Sequence, residues 1–289
     1  MTFNPDADVR GTRATRRGGR GAVIAGGAGG AGAVVVLLLF LFTGQDFSGL
    51  LGGGTGGGTS TDQGVVENCN SGADANADDD CRLDAGEEVV NSFWQRELDG
   101  YQKPKLVLVE GQTQTPCGTA SNQAGPFYCP TDQTVYIDPT FWSILREQLG
   151  AEGGDLAQLY VLAHEYGHHV QNLLGVFEEY PRDGSGADSN AVRTELQADC
   201  FAGAWTAAAP EQKDADGRPF LLEPTQAQID DALGAAAAVG DDHIQEQSGR
   251  VNPESWTHGS SEQRQGWFMT GYREGWDSCD TFAVSGEDL

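Results

Sequence analysis

The first dense apolar run is Val34 to Phe42, inside a segment, residues 21–45, that carries no charge. About 20 residues at 1.5 Å rise cross a bilayer core of roughly 30 Å, so the pattern predicts one transmembrane helix over 21–45. Its glycines at 26, 27, 29, 30 and 32 weaken an isolated helix but are better tolerated in membranes. Thr43-Gly44-Gln45-Asp46 follows with no small-residue cleavage site, which predicts a retained anchor. The arginine-bearing residues 1–20 are then a cytoplasmic basic tail, residues 46–66 a Gly-rich linker, and residues 67–289 an exported domain.

Within that domain, Glu87 to Leu98 has helical spacing in Val90, Phe93, Trp94 and Glu97, while Lys105–Val109 and Thr134–Ile137 read as short strands. Helical stretches follow at Thr140–Leu149, Asp155–Leu174, Ala191–Ala208 and Thr225–Val239. A last one begins near Ser260, with Trp267, Phe268 and Tyr272 as its apolar stripe. Residues 67–82, polar and bracketed by Cys69 and Cys81, read as a stapled loop, and Pro210–Pro219 as another loop. The expected fold is α+β: one mainly helical domain with a small sheet.

Charge narrows the partners. The net charge is −26, and since the first twenty residues hold +3 (five Arg against Asp6 and Asp8), the rest holds −29 with lysine only at 103, 105 and 213. Binding nucleic acid through phosphate neutralisation needs a basic surface, so no nucleic-acid partner is expected. The six cysteines form no CxxC pair. Their even number beyond an apolar segment suggests disulfides in an oxidising compartment. Of 15 possible connectivities, the local spacings make Cys69 with Cys81 and Cys117 with Cys129 the simplest, leaving Cys200 with Cys279.

The candidate chemistry sits in Val161-Leu-Ala-His164-Glu165-Tyr-Gly-His168-His169-Val-Gln171. His164 and His168 lie one helical turn apart on one face and can share a metal ion, with Glu165 beside them to act as a base on an activated water. Burying such groups in an apolar helix is costly without a partner, and a metal answers that cost. A catalytic zinc site takes three protein ligands. Glu195, on the stretch Glu195-Leu-Gln-Ala-Asp199, is the expected third, and Asp199, one turn on, is placed to orient a ligating imidazole. The alternative is an exposed carboxylate pair partnered by Arg193.

Three segments together resemble a known family: His164-Glu-Tyr-Gly-His-His-Val-Gln171, Arg193-Thr-Glu-Leu-Gln-Ala-Asp-Cys-Phe-Ala-Gly203, and Thr257-His-Gly-Ser-Ser-Glu-Gln-Arg264 with Trp267-Phe268 and Gly271-Tyr272. On these motifs the chain is similar to the neutral zinc metallopeptidases of bacterial membrane-anchored proteins. The resemblance implies a zincin-like fold, one zinc ion, and peptide-bond hydrolysis on a peptide or protein substrate at the outer face of the membrane.

A donor for the developing oxyanion is also needed. His258 is the first candidate, with Tyr272 and Tyr180 as alternatives, although His258 could equally cap or pack the last helix. His169, about 100° round the helix from His168, is expected to pack or support the site, and His243 to be solvated. Gly167 either lets another backbone approach the metal or simply permits a helix crossing. The rival to an enzyme is a non-catalytic, zinc-stabilised binding or scaffold domain on the cell surface. A hydrolase of cell-wall peptide cross-links fits the location, but no wall-binding module supports it.

Overall fold

In the computed structural model the described residues are 1–11, 13–18 and 61–289. The chain enters through strand β1 (Thr15–Gly18) and β2 (Thr61–Val65), then forms a short helix α1 (Gly72–Ala77) and a long α2 (Asp79–Glu97). β3 (Lys105–Glu110), a hairpin of β4 (Gln112–Thr115) and β5 (Gly118–Ser121), β6 (Phe127–Cys129) and β7 (Thr134–Ile137) complete the strands. The helical half is α3 (Phe141–Glu147), α4 (Asp155–Leu173), α5 (Val176–Glu179), α6 (Asn190–Ala208), α7 (Gln226–Ala238), α8 (Asp241–Glu246) and α9 (Ser261–Glu274).

The main sheet has the order β2-β1-β3-β7-β6, parallel where β1 meets β3 and β3 meets β7, and antiparallel at both edges. β3 is buried on both faces. Leu106 and Leu108 join the large core with the helices, whereas Val107 and Val109 join a small one with Ala120, Cys129 and Tyr136. This is the two-residue alternation of a strand covered on both sides.

The helices start where their sequences supply caps. Ser189, Thr225 and Ser260 each accept a backbone N–H in the first turn of α6, α7 and α9, and Gly175, at φ +77°, turns the chain after α4. All three expected cysteine pairs are present as disulfides, Cys69–Cys81, Cys117–Cys129 and Cys200–Cys279.

The N-terminal expectations need correction. Residues 1–18 are not a separate tail: Met1 and Phe3 are fully buried, Phe3 bridges to Leu221, and the Asn4 amide donates to Phe220 O at 2.9 Å. Two of the arginines read as membrane-flanking charges have partners on the body, Arg13 donating to buried Asp84 (2.6 Å) and Arg16 pairing with Asp80. The alternation that marks a strand is missing from Thr-Arg-Arg-Gly, whose partner β3 lies some ninety residues on. Of the segment 46–66 expected as a linker, the described part belongs to the body, as strand β2 and buried Val66. The loop expected at 67–82 is α1 and the first turn of α2, capped by Ser71 and Asp78. The helix expected at 21–45 lies outside the described residues, and among the described residues no helix is long and apolar enough to cross a membrane.

α6 and α9 cross at backbone contact. A Cβ on Gly271 would lie 1.8 Å from Cys200 O, and one on Gly203 would lie 1.9 Å from Phe268 O. Neither helix can accept a methyl there without moving away from the other. Gly271→Ala is therefore expected to cost roughly 1–3 kcal/mol by overpacking, read as a fall of several degrees in Tm, and an unchanged Tm would refute the tight crossing.

Candidate metal centre

α4 carries His164 and His168 on one face with ring centroids 4.7 Å apart. α6 brings Glu195 against them: its Oε2 is 3.2 Å from His164 Nε2 and its Oε1 3.5 Å from His168 Nε2. One ligand atom from each of these three buried residues lies within 4.8 Å of the others.

The hydrogen bonds behind the ligands decide what the cluster needs. Gln171 Nε2 donates to Thr194 O (2.7 Å) and to Gln197 Oε1 (3.0 Å), and Gln197 Nε2 donates to Cys279 O (2.9 Å). This leaves Gln171 Oε1 to accept from His168 Nδ1 at 2.8 Å. Asp199 Oδ1 accepts from His164 Nδ1 at 2.8 Å in the same way. With both protons held at Nδ1, two Nε2 lone pairs face a carboxylate. Three converging acceptors call for positive charge between them, as a proton on Nε2 or a metal ion, and two imidazoles with one carboxylate are the donor set of a catalytic zinc site. The electrostatics agree: against the effect of burial, Asp199 and Glu195 push His164 up to about 9, so the site favours positive charge there.

Asp199 is itself fully buried and shared among three helices. Tyr160 OH donates to it at 2.6 Å, and Arg264 donates through Nε (2.7 Å) and Nη2 (3.0 Å). Burial opposes its ionisation, but the Arg264 guanidinium and His164 hold its pKa down to about 2. Glu195 is likewise held well below the usual range despite burial, by His168 and by Arg182, whose Nη2 donates to Oε1 at 2.6 Å. Glu165 behaves oppositely: burial raises its pKa, with His168 and His164 only partly offsetting that. A carboxylate shifted upward is better matched to accepting a proton near neutral pH.

Glu165, His164, His168, Glu195 and His258 all line one cleft of about 880 Å³. Tyr272 instead stacks on Phe268 and Tyr180 on Phe282, outside that lining. Buried His169 bonds Tyr128 OH and Gln102 O, in keeping with a packing role, while His243, expected in solvent, meets Leu149 O at 3.0 Å. A Cβ on Gly167 would sit 3.1 Å from Ala198 Cα, so its smallness serves the α4–α6 crossing. Arg193 bonds the carbonyls of Asp188, Thr281 and Val284 and leaves the carboxylates alone.

Arg182 and Arg264 were not anticipated as site residues. Arg264 did leave a trace, because it shares a helix face with Trp267, Phe268 and Gly271, and a charge on an apolar stripe implies a buried partner. Arg182 lies in the segment between α5 and α6 and left none.

A helix bearing His-Glu-x-x-His, crossed by a second helix bearing a carboxylate, defines the class of single-ion metallopeptidase-like proteins. The family described as "Putative neutral zinc metallopeptidase" matches residues 5–282, and the chain belongs to it. Zinc is accordingly its cofactor. The chain is 50% identical over 223 residues, 76% of each chain, to Rv2575 of Mycobacterium tuberculosis, and 40% identical over 275 residues to YpfJ of Escherichia coli, covering 93% of this chain and 91% of that one. Both relatives are described only as uncharacterized proteins. No solved structure matches.

Asp199→Asn is expected to weaken zinc binding 10–100-fold, the usual effect of removing a group that orients a ligand, as measured by competition with a chromophoric chelator. Unchanged affinity would remove Asp199 from the site.

Proposed function

We propose that the protein hydrolyses peptide bonds in peptide or protein substrates, with Glu165 as general base and His258 as oxyanion donor. The observation that carries this is a Glu165 held in the metal-ligand helix and opening, with all three ligands, onto a cleft large enough for an extended peptide. When bound, zinc supplies a Lewis acid that lowers the pKa of water to about 7. Glu165 takes the proton as the water attacks the scissile carbonyl and returns it to the leaving amine. His258, at the same cleft, donates a hydrogen bond to the oxyanion, and Arg182 adds positive charge at its wall.

The rival reading, a zinc-stabilised scaffold, is disfavoured by the same cleft: a structural site closes its fourth position with protein and has no use for a buried base. Glu165→Gln separates the two. Zinc content should stay at the wild-type level while cleavage of unstructured protein falls at least 100-fold, the low end for an acid–base group. Cleavage by the variant at the wild-type rate would eliminate Glu165 as the base, and zinc binding by wild type without cleavage of any peptide would leave the scaffold.

We also propose that the site works in an oxidising compartment outside the cytoplasm, since all six cysteines are disulfide-bonded, with residues 21–45 in contact with the membrane. Gly18 pairs with Thr61, and residues 1–18 pack on the body, which favours residues 1–18 and the zinc site sharing one side. Cysteines substituted singly for exposed Arg10 and Asp216 should react alike with a membrane-impermeant maleimide in intact cells. Labelling of the Asp216 position alone would return the N-terminus to the cytoplasm.

A further inference from the structure

A buried carboxylate outside the metal centre has three consecutive backbone amides aimed at it. Asp241, 1% exposed at the start of α8, accepts at Oδ2 from the amides of Thr257 (2.8 Å), His258 (2.7 Å) and Gly259 (3.1 Å). Its own amide donates back to Gly259 O at 2.8 Å. The other carboxylate oxygen, Oδ1, lies 3.5 Å from His258 Nδ1, which also meets Thr257 Oγ1 at 2.9 Å.

The loop has little freedom to sit elsewhere. Gly259 turns at φ +88°, with Val192 and Leu196 of α6 3.2 Å from where its Cβ would be, so the residue after His258 is pressed onto the helix that carries Glu195. On the other side, a Cβ on Gly240 would meet the Ser261 amide at 2.6 Å, and Asp242 Oδ1 accepts from the Ser261 amide and hydroxyl, both at 2.8 Å. Asp242 thus secures the start of α9, while Asp241 secures the turn that presents His258. Burying a carboxylate costs several kcal/mol unless its lone pairs find donors, and here Oδ2 takes three backbone amides from the turn that carries one cleft histidine.

We infer that Asp241 is the positioning residue for His258: it fixes the Thr257–Gly259 backbone and sets Oδ1 on the Nδ1 side of the ring at 3.5 Å, leaving Nε2 to the cleft. The inference rests on the proposed reading of His258 as oxyanion donor. Because the oxyanion forms only along the reaction path, a misplaced donor lowers kcat and leaves KM and zinc affinity alone.

The test is a double-mutant cycle on the zinc-loaded full chain with a fluorogenic peptide mixture, combined with 15N chemical shifts of the His258 ring. His258→Ala should lower kcat by 100–1,000-fold, and Asp241→Asn by roughly 10–100-fold, the scale of a displacement of about 1 Å. The double variant should be no slower than His258→Ala alone. Asp242→Asn, the control at the same corner, should lower Tm and leave kcat unchanged. In Asp241→Asn the His258 ring shifts should move, reporting a changed Nδ1 environment in apo and loaded protein alike. Multiplying losses in the double variant, or unmoved ring shifts, would overturn the inference. If Asp241→Asn does not fold, Asp241→Glu, which keeps the charge but displaces the carboxylate from the Thr257–Gly259 amides, is read the same way. Should wild type cleave nothing, the peptidase reading fails, and the ring shifts still decide whether Asp241 orients His258.

Discussion

The structure depends on one buried ion pair, Asp199 with Arg264. Asp199 is wholly inside the protein, and its two oxygens take donors from α4 (Tyr160 and His164) and α9 (Arg264) while it stands on α6. Three helices are therefore registered against one another by the hydrogen-bonding demand of a single carboxylate. Buried pairs of this kind add little net stability compared with apolar packing, but removing one member leaves an uncompensated charge at a cost of about 3–5 kcal/mol. That asymmetry makes the pair a device for register: any arrangement of α4, α6 and α9 that separates these groups is heavily penalised, and the retained arrangement brings His164 to Glu195.

Glycine sets the spacing within which this pair can form. Gly167 lets α4 rest on Ala198 of α6, and Gly203 with Gly271 lets α6 touch α9 backbone to backbone. The Cys200–Cys279 disulfide then ties α6 to the chain beyond α9. The same corner reaches the metal centre, because Cys279 O accepts from Gln197, which accepts from Gln171, which accepts from His168. Each ligand imidazole has its own support, His164 the ion pair and His168 this chain of side-chain amides.

The legible parts of the sequence were those with short-range signatures. Helical periodicity gave α4, α6, α7 and α9 nearly to the residue, and the spacing of His164, His168, Glu195 and Asp199 foretold the cluster because each pair lies within one helical turn of its own helix. The need of a catalytic zinc site for a third protein ligand linked the two helices, and the family resemblance pointed to the same metal. What stayed hidden depends on distant partners: β1 reads as a basic tail until β3 is beside it, Arg13 and Arg16 read as flanking charge until Asp84 and Asp80 are found, and Arg182 has no local pattern. Asp241 lay in an acidic segment of ordinary appearance, and its three amide donors come from a turn sixteen to eighteen positions further on.

Local charge at the centre, more than the net charge of the chain, decides what the cleft attracts. Asp199 and Arg264 cancel, leaving Glu165 and Glu195 against Arg182, a local formal charge of −1 when both imidazoles are in the neutral form in which they ligate a metal. A divalent ion turns that to +1. The chain, at −26 overall, is screened beyond roughly 8–10 Å at physiological salt, whereas the buried Glu165 and Glu195 interact with little screening. The local sum therefore governs at the cleft: the empty site attracts a cation, and a loaded site at +1 suits the anion that the proposed hydrolysis would develop. Arg182 is the member that sets this sign, because without it the loaded centre would be neutral while every ligand stayed in place.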